Sequence, residues 1–184
     1  MKRTGTITAA MGLIAGFALA APSAAQVDIN ARAGLGVPTF DIDDAADPGF
    51  NVGGGIAIGL TERLFARGNV DFGFHPGAND GPDVDVRHYI AGVGLLLTDP
   101  ANPFYISVNL GAGALNFDID VEGVESTTSF AINAGAEIGY WVSEQFSIFA
   151  SPQGDIAFTD EAELGTDNAW VWPFTAGIKV RLGN

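Results

Sequence analysis

From Val27 onward the chain alternates apolar and polar positions in eight successive runs, the two-residue period of strands that bury one face. The first, Val27–Val37, sets Val27, Ile29, Ala31, Ala33, Leu35 and Val37 against Asp28, Asn30, Arg32, Gly34 and Gly36. Phe50–Leu60 alternates in the same way. Leu64–Phe74 places Leu64, Ala66, Val70, Phe72 and Phe74 opposite Phe65, Arg67, Asn69, Asp71 and Gly73. Phe104–Phe117 carries Tyr105, Ser107, Asn109, Gly111 and Gly113 on its polar face, and Thr128–Trp141 carries Asn133, Gly135, Glu137 and Gly139. Phe146–Phe158 opposes Ser147, Phe149, Ser151, Gln153 and Asp155 to an apolar row, interrupted by Pro152. The last run, Trp170–Asn184, has Trp170, Trp172, Phe174, Ala176, Ile178, Val180 and Leu182 on one face, and Lys179 and Arg181 on the other. The fourth, around Val86–Leu97, is the least regular: Tyr89, Ala91, Val93, Leu95 and Leu97 oppose His88, Gly92 and Gly94, with Ile90 and Leu96 as exceptions.

The connections alternate in length. PTFDIDDAADPG, HPGANDGPDVD, FDIDVEGVES and TDEAELGTDN are long, whereas the turn at Thr61-Glu62-Arg63, TDPANP and VSEQ are short. Long loops on one side and short turns on the other describe an eight-stranded antiparallel up-and-down meander, with both ends of it on the short-turn side. The predicted fold is all-β.

Such a meander closes in two opposite senses. A soluble lipocalin-like barrel turns its apolar face inward around a ligand, whereas a membrane barrel turns it outward to lipid. Four features favour the second. The polar face is crowded with glycine (Gly34, Gly36, Gly53, Gly55, Gly111, Gly113, Gly135, Gly139, Gly177), which suits a narrow lumen and wastes an exposed strand face. Aromatic residues on the apolar face cluster at strand ends: Phe50, Phe72, Phe74, Phe130, Phe158, Trp170 and Trp172 toward the long loops, and Phe104, Tyr140 and Phe146 toward the short turns. Two such girdles mark the two membrane interfaces. The runs are also long enough for a tilted strand to cross a bilayer, which takes about 9–11 residues. The loops, finally, are long on one side only.

The first residues read differently. Lys2 and Arg3 precede the apolar stretch Ile7–Ala21, and Ser23-Ala24-Ala25 offers small residues at a cleavage site, so residues 1–25 are expected to be a cleaved secretory signal peptide and 26–184 the barrel domain. The chain has no cysteine, which excludes thiolate metal sites and thiol nucleophiles. Its net charge of −14 repels phosphate, so no nucleic-acid partner is expected.

With these features the chain resembles the small eight-stranded outer-membrane barrels, the outer membrane protein A transmembrane type and the porin-family β-barrel domain. The resemblance implies residence in the outer membrane of a diderm bacterium, lipid as the surrounding partner, a monomer, and recognition by the barrel assembly machinery. Thr175, Gly177, Val180 and Leu182 fit the spacing of that family's last-strand assembly signal; family members typically stop at an aromatic residue, where this chain has Leu182, Gly183 and Asn184.

Candidate chemistry is confined to the polar face. Asp28, Arg32, Arg67, Asp71, Glu137, Asp155, Lys179 and Arg181 are expected to form a lumen charge network, because unpaired ions in a narrow interior are costly. Closure of the last strand on the first brings Arg181 to Asp28, and Arg67, Glu137 and Lys179 fall at similar heights. A salt-bridged plug is the favoured reading over a charged gate. The acidic loops, including Asp41, Asp43, Asp44, Asp118, Asp120 and Glu122, match no complete calcium-loop motif, so no metal is expected. His75 and His88 are the sole histidines, and neither has a serine–acid setting, so no catalytic residue, enzymatic activity or cofactor is expected. The expected role is structural or that of a minor solute channel; the alternatives are a surface adhesin platform on the acidic loops and the soluble lipocalin-like barrel.

Overall fold

A computed structural model describes residues 26–43, 45–160 and 168–182. The expected signal peptide, Asp44, most of the last long loop, and Gly183 and Asn184 lie outside the described residues. Eight strands follow in order: β1 (Val27–Thr39), β2 (Gly49–Gly59), β3 (Leu64–His75), β4 (Val84–Leu96), β5 (Phe104–Ile119), β6 (Thr127–Trp141), β7 (Phe146–Phe158) and β8 (Asn168–Leu182). Each pairs antiparallel with its sequence neighbour, and β1 also pairs with β8, so the sheet closes on itself and leaves no free edge. The closing register sets Val27 opposite Leu182 and Asp28 opposite Arg181.

The alternation read from the sequence is the alternation of exposure. Ile29, Leu35, Phe50, Val93, Leu110, Ile138, Ile148 and Ile178 face outward and are exposed, which in a soluble protein would leave an apolar surface around the whole molecule. The ten belt aromatics all occupy outward positions near strand ends; the Phe130 and Phe158 rings stack at 6.0 Å and those of Trp170 and Trp172 at 6.4 Å. The fourth strand follows the same rule, with Tyr89, Val93 and Leu95 exposed and His88 and Ile90 buried inside, so the alternation holds and Ile90 is an apolar residue in the lumen.

The strands overrun the expected bounds on the long-loop side. β1 continues to Thr39, β4 starts at Val84 and β5 reaches Ile119. Their outward residues there become polar: Arg87 donates to Asp118 Oδ2 at 3.0 Å and to Asn116 Oδ1 at 3.3 Å. The ladder thus continues above the aromatic girdle because its inner side is still packed. His75, expected in a loop, is instead the last residue of β3 and points inward with 2% exposure.

Candidate functional site: the lumen

Large side chains fit inside because glycine sits beside them on the neighbouring strand. A Cβ on Gly53 would lie 2.1 Å from Asp71 Oδ1, and one on Gly55 2.1 Å from Asn69 Oδ1. Gly94 seats the ring of Phe65, Gly139 that of Tyr105, Gly135 the amide of Gln153 and Gly177 the ring of Phe149. All six glycines are direct cross-strand partners of the residues they seat. The seated side chains therefore lie across their glycine neighbours along the wall, which leaves the lumen to the charged ends of Asp28, Arg32, Asp71, Glu137, Asp155, Lys179 and Arg181.

Those ends form a ladder of partners. Nearest the short turns, Arg181 Nε donates to Asp28 Oδ1 at 3.1 Å, and its guanidinium lies 3.8 Å over the Trp141 ring. Lys179 is bonded to Glu137 and sits 4.9 Å from the centre of the Tyr105 ring and 5.5 Å from that of Phe149. Tyr105 completes this cage by donating its hydroxyl proton to Glu137 Oε1 at 2.9 Å. Toward the loops, Arg32 grips Asp71 with two parallel bonds, the Nε one at 2.7 Å, and both side chains are nearly free of solvent. Asp155 accepts from Asn133 Nδ2 at 2.7 Å and faces His88 Nδ1 at 2.9 Å.

The structure thus brings Asp28 to Arg181, Glu137 to Lys179 and Asp71 to Arg32. Arg67 differs from the expectation that every ion would find an opposite charge. It reaches Gln153 Oε1 at 3.5 Å and, with the Asn69 amide oxygen turned toward it, that oxygen at 2.9 Å from its Nε. Glu137, expected at the height of both Arg67 and Lys179, is held by Lys179 as expected, and by Tyr105. The partner of Asp155 is His88, 67 residues away and across the barrel. Tyr105 and Phe149 were placed on the polar face by their spacing, but nothing local told that they would cage Lys179.

The interior changes character toward the long loops. Val86, Ile90, Leu115, Phe117, Ala131, Ala157, Ala169 and Val171 point inward and pack together, joined by Val84 and by Ile42 and Ala46 from the β1–β2 loop. Continuing the two-residue count from Tyr105 to Gly113 puts Leu115 and Phe117 on the lumen face, so this apolar layer had a sequence signal that the polar character of the run obscured. At mid-height the free space between Arg32, Arg67, Asp71 and Asp155 is about 10 Å³, at most the room of one water. On the turn side a vestibule of about 380 Å³ opens between Asp28, Arg63, Tyr105, Ser107, Trp141 and Arg181.

In the last strand, Thr175 points inward and donates to the Ser151 carbonyl at 3.3 Å, Gly177 lies against Ala31 and Phe149, and Val180 and Leu182 are exposed on the outer face. Asp83, Asp85, Asp118, Asp120 and Glu122 line a cleft among the loops. Among the described residues no group of three His, Asp or Glu side chains is arranged to hold a metal ion.

An apolar, aromatic-girdled exterior around a charged and filled interior defines a transmembrane β-barrel. The family model for the outer membrane protein beta-barrel domain matches residues 6–183, and the chain belongs to that family; the protein resides in the outer membrane. Among solved structures it is similar to Neisserial surface protein A, with a TM-score of 0.66 and 14% identity over 87% of this chain and 98% of that one. It is also similar to the N-terminal β-barrel domain of Pseudomonas aeruginosa OprF, with a TM-score of 0.57 and 16% identity over 85% and 97% of the respective chains. The attachment invasion locus protein Ail of Yersinia pestis gives a TM-score of 0.56 and 16% identity over 88% and 100%. At these identities the likeness is one of fold. No curated protein matches the chain in sequence.

Proposed function

We propose that this barrel is a non-enzymatic structural protein of the outer membrane whose lumen is closed to solutes. The observation that carries this reading is the filled mid-lumen: about 10 Å³ of free space, bounded by the bidentate Arg32–Asp71 pair and the Asp155–His88–Asn133 cluster. A buried ion pair stripped of one partner costs about 3–5 kcal/mol, so these pairs resist opening as well as filling space. Asp28, Arg32, Arg67, Asp71, Glu137, Asp155, Lys179 and Arg181 act here as a plug. Residues 1–25 serve as a cleaved signal peptide, and Thr175, Gly177, Val180 and Leu182 present the last strand to the barrel assembly machinery. The mature barrel is a monomer, with lipid as its partner and no nucleic-acid ligand.

Recordings across a planar lipid bilayer test this directly. The purified barrel is expected to show no steady conductance; a reproducible ohmic step would replace the plug with a minor solute channel. A second reading is an adhesin-like platform. Its support is the long, acidic loops above the girdle, together with likeness of fold to a protein named for attachment and invasion. Trimming the loops would abolish surface binding under that reading and change nothing under the first.

A further inference from the structure

The loop joining β1 to β2 does not leave the barrel mouth open. Of its residues 40–43 and 45–47, which run over the rim, Ile42 and Ala46 turn inward. Phe40 has φ +62, a left-handed conformation that a bulky residue rarely adopts, and this is the point where the chain leaves the wall. Outside the rim, the Phe40 ring lies 5.2 Å from that of Trp170, and Trp172 Nε1 donates to Thr39 Oγ1 at 3.1 Å. Inside, Ile42 and Ala46 are buried at 7% and 2% exposure in the apolar layer with Val84, Val86, Leu115 and Phe117. The far end is tied to the end of β3 and the following loop. Asp47 N–H donates to the Pro76 carbonyl at 2.8 Å, Ala78 N–H to the Ala45 carbonyl at 3.1 Å, and His75 Nδ1 meets the Asp47 carbonyl at 3.2 Å. The segment is a strap with a clasp at each end.

Among the described residues, buried polar atoms without a protein partner are Asn30 Oδ1 and Asn109 Oδ1 toward the turn side, His88 Nε2 and Asn133 Oδ1 within the ion-pair layer, and, on its loop side beneath this strap, both amide atoms of Asn51 and His75 Nε2. A Cβ on Gly73 would lie 2.8 Å from His75 Nε2 and 3.6 Å from Asn51 Nδ2, which sets those two side chains side by side. A sealed interior without water would leave these groups costly, and a layer that water can reach satisfies them.

We propose that the strap is a second, detachable seal of unlike chemistry, in series with the ion-pair layer, and that it controls access from the outer side to a polar compartment above those pairs. This rests on the plugged-barrel reading. The turn-side vestibule is then a separate compartment that stays open whatever the strap does. Closure by the strap uses apolar packing and a few backbone bonds. It can open locally while the barrel wall stays intact.

The cysteine-free chain makes the test direct. Single reporters are placed on the two sides: Ala131→Cys in the apolar layer under the strap, and Ser107→Cys on the vestibule wall. Each is made with the native strap and with Phe40→Ala plus Ile42→Asp, then treated with a charged methanethiosulfonate reagent in detergent-folded protein. Retention of the heat-dependent gel shift shows that the barrel is folded. The Ala131→Cys reporter is expected to react about tenfold faster or more once the strap is released, as access follows the open population. Ser107→Cys is expected to react equally in both. Equal rates at Ala131→Cys with and without release would overturn the proposal, as would an unreactive Ser107→Cys. Should the double substitution fail to fold, amide exchange in the unaltered protein decides instead: Ala78 N–H exchanging well ahead of the β3–β4 ladder supports the strap, and exchange in step with that ladder refutes it. Steady conductance of the unaltered barrel would strike the plugged-barrel reading itself, which keeps the two failures distinct.

Discussion

The two ends of the lumen solve one problem by opposite chemistry. On the turn side the interior is ionic, with Lys179 and Arg181 each held by a carboxylate and by aromatic faces. On the loop side it is apolar, with Leu115 and Phe117 packed as in a soluble core and a loop folded in as a cap. The turn side is the one that carries the vestibule, so its charges keep access to water at one end. The loop side continues above the aromatic girdle, where lipid no longer supports the wall from outside; an inner apolar core gives those strand extensions something to fold against.

The contrast can be broken from either end. The largest effect is expected from Glu137→Ala, which leaves Lys179 buried without its carboxylate and should lower the unfolding free energy in micelles by about 3–5 kcal/mol. Adding Lys179→Met should recover much of that loss, because the stranded charge is gone. A double variant as unstable as the single would mean that Lys179 is stabilised by its two aromatic neighbours alone. On the loop side, Leu115→Ala should cost about 2–5 kcal/mol through the cavity it leaves, and this loss should not vary with salt. A marked salt dependence would show that the loop side is electrostatic after all.

Smaller effects sharpen the picture. Gly53→Ala drives a methyl against the Asp71 carboxylate and should cost roughly 1–3 kcal/mol, with the Arg32–Asp71 pair displaced. A neutral outcome would mean that Asp71 is free to move and that the pair is not a fixed part of the plug. The smallest change is expected outside the barrel. Arg87 and Asp118 keep 38% and 41% of their side-chain surface, so Arg87→Ala should cost about 0.2–1 kcal/mol, fading as salt is raised.

Much of this was legible from the alternation. A two-residue period fixes which side chains share a face, and antiparallel closure then places Arg181 beside Asp28 without further information. What alternation does not carry is the tilt of the strands, which sets heights around the barrel. Heights estimated strand by strand put Arg67, Glu137 and Lys179 together; the real stagger keeps Glu137 with Lys179 and leaves Arg67 to Gln153 and Asn69. The same stagger brings His88 across to Asp155. The strap was hidden for another reason. Ile42 stands alone among aspartates, and only the neighbouring strand ends and the apolar layer beneath make a buried place for it.

The apolar face meets lipid while the charged face fills the lumen, and the chain's three tryptophans report on the two faces separately. Trp170 and Trp172 lie on the outer face at the loop-side girdle; Trp141 lies inside under Arg181. Single-tryptophan variants folded into bilayers of brominated lipid should show strong quenching for Trp172 and little for Trp141. Quenching of Trp141 with Trp172 spared would contradict the account and turn the barrel inside out.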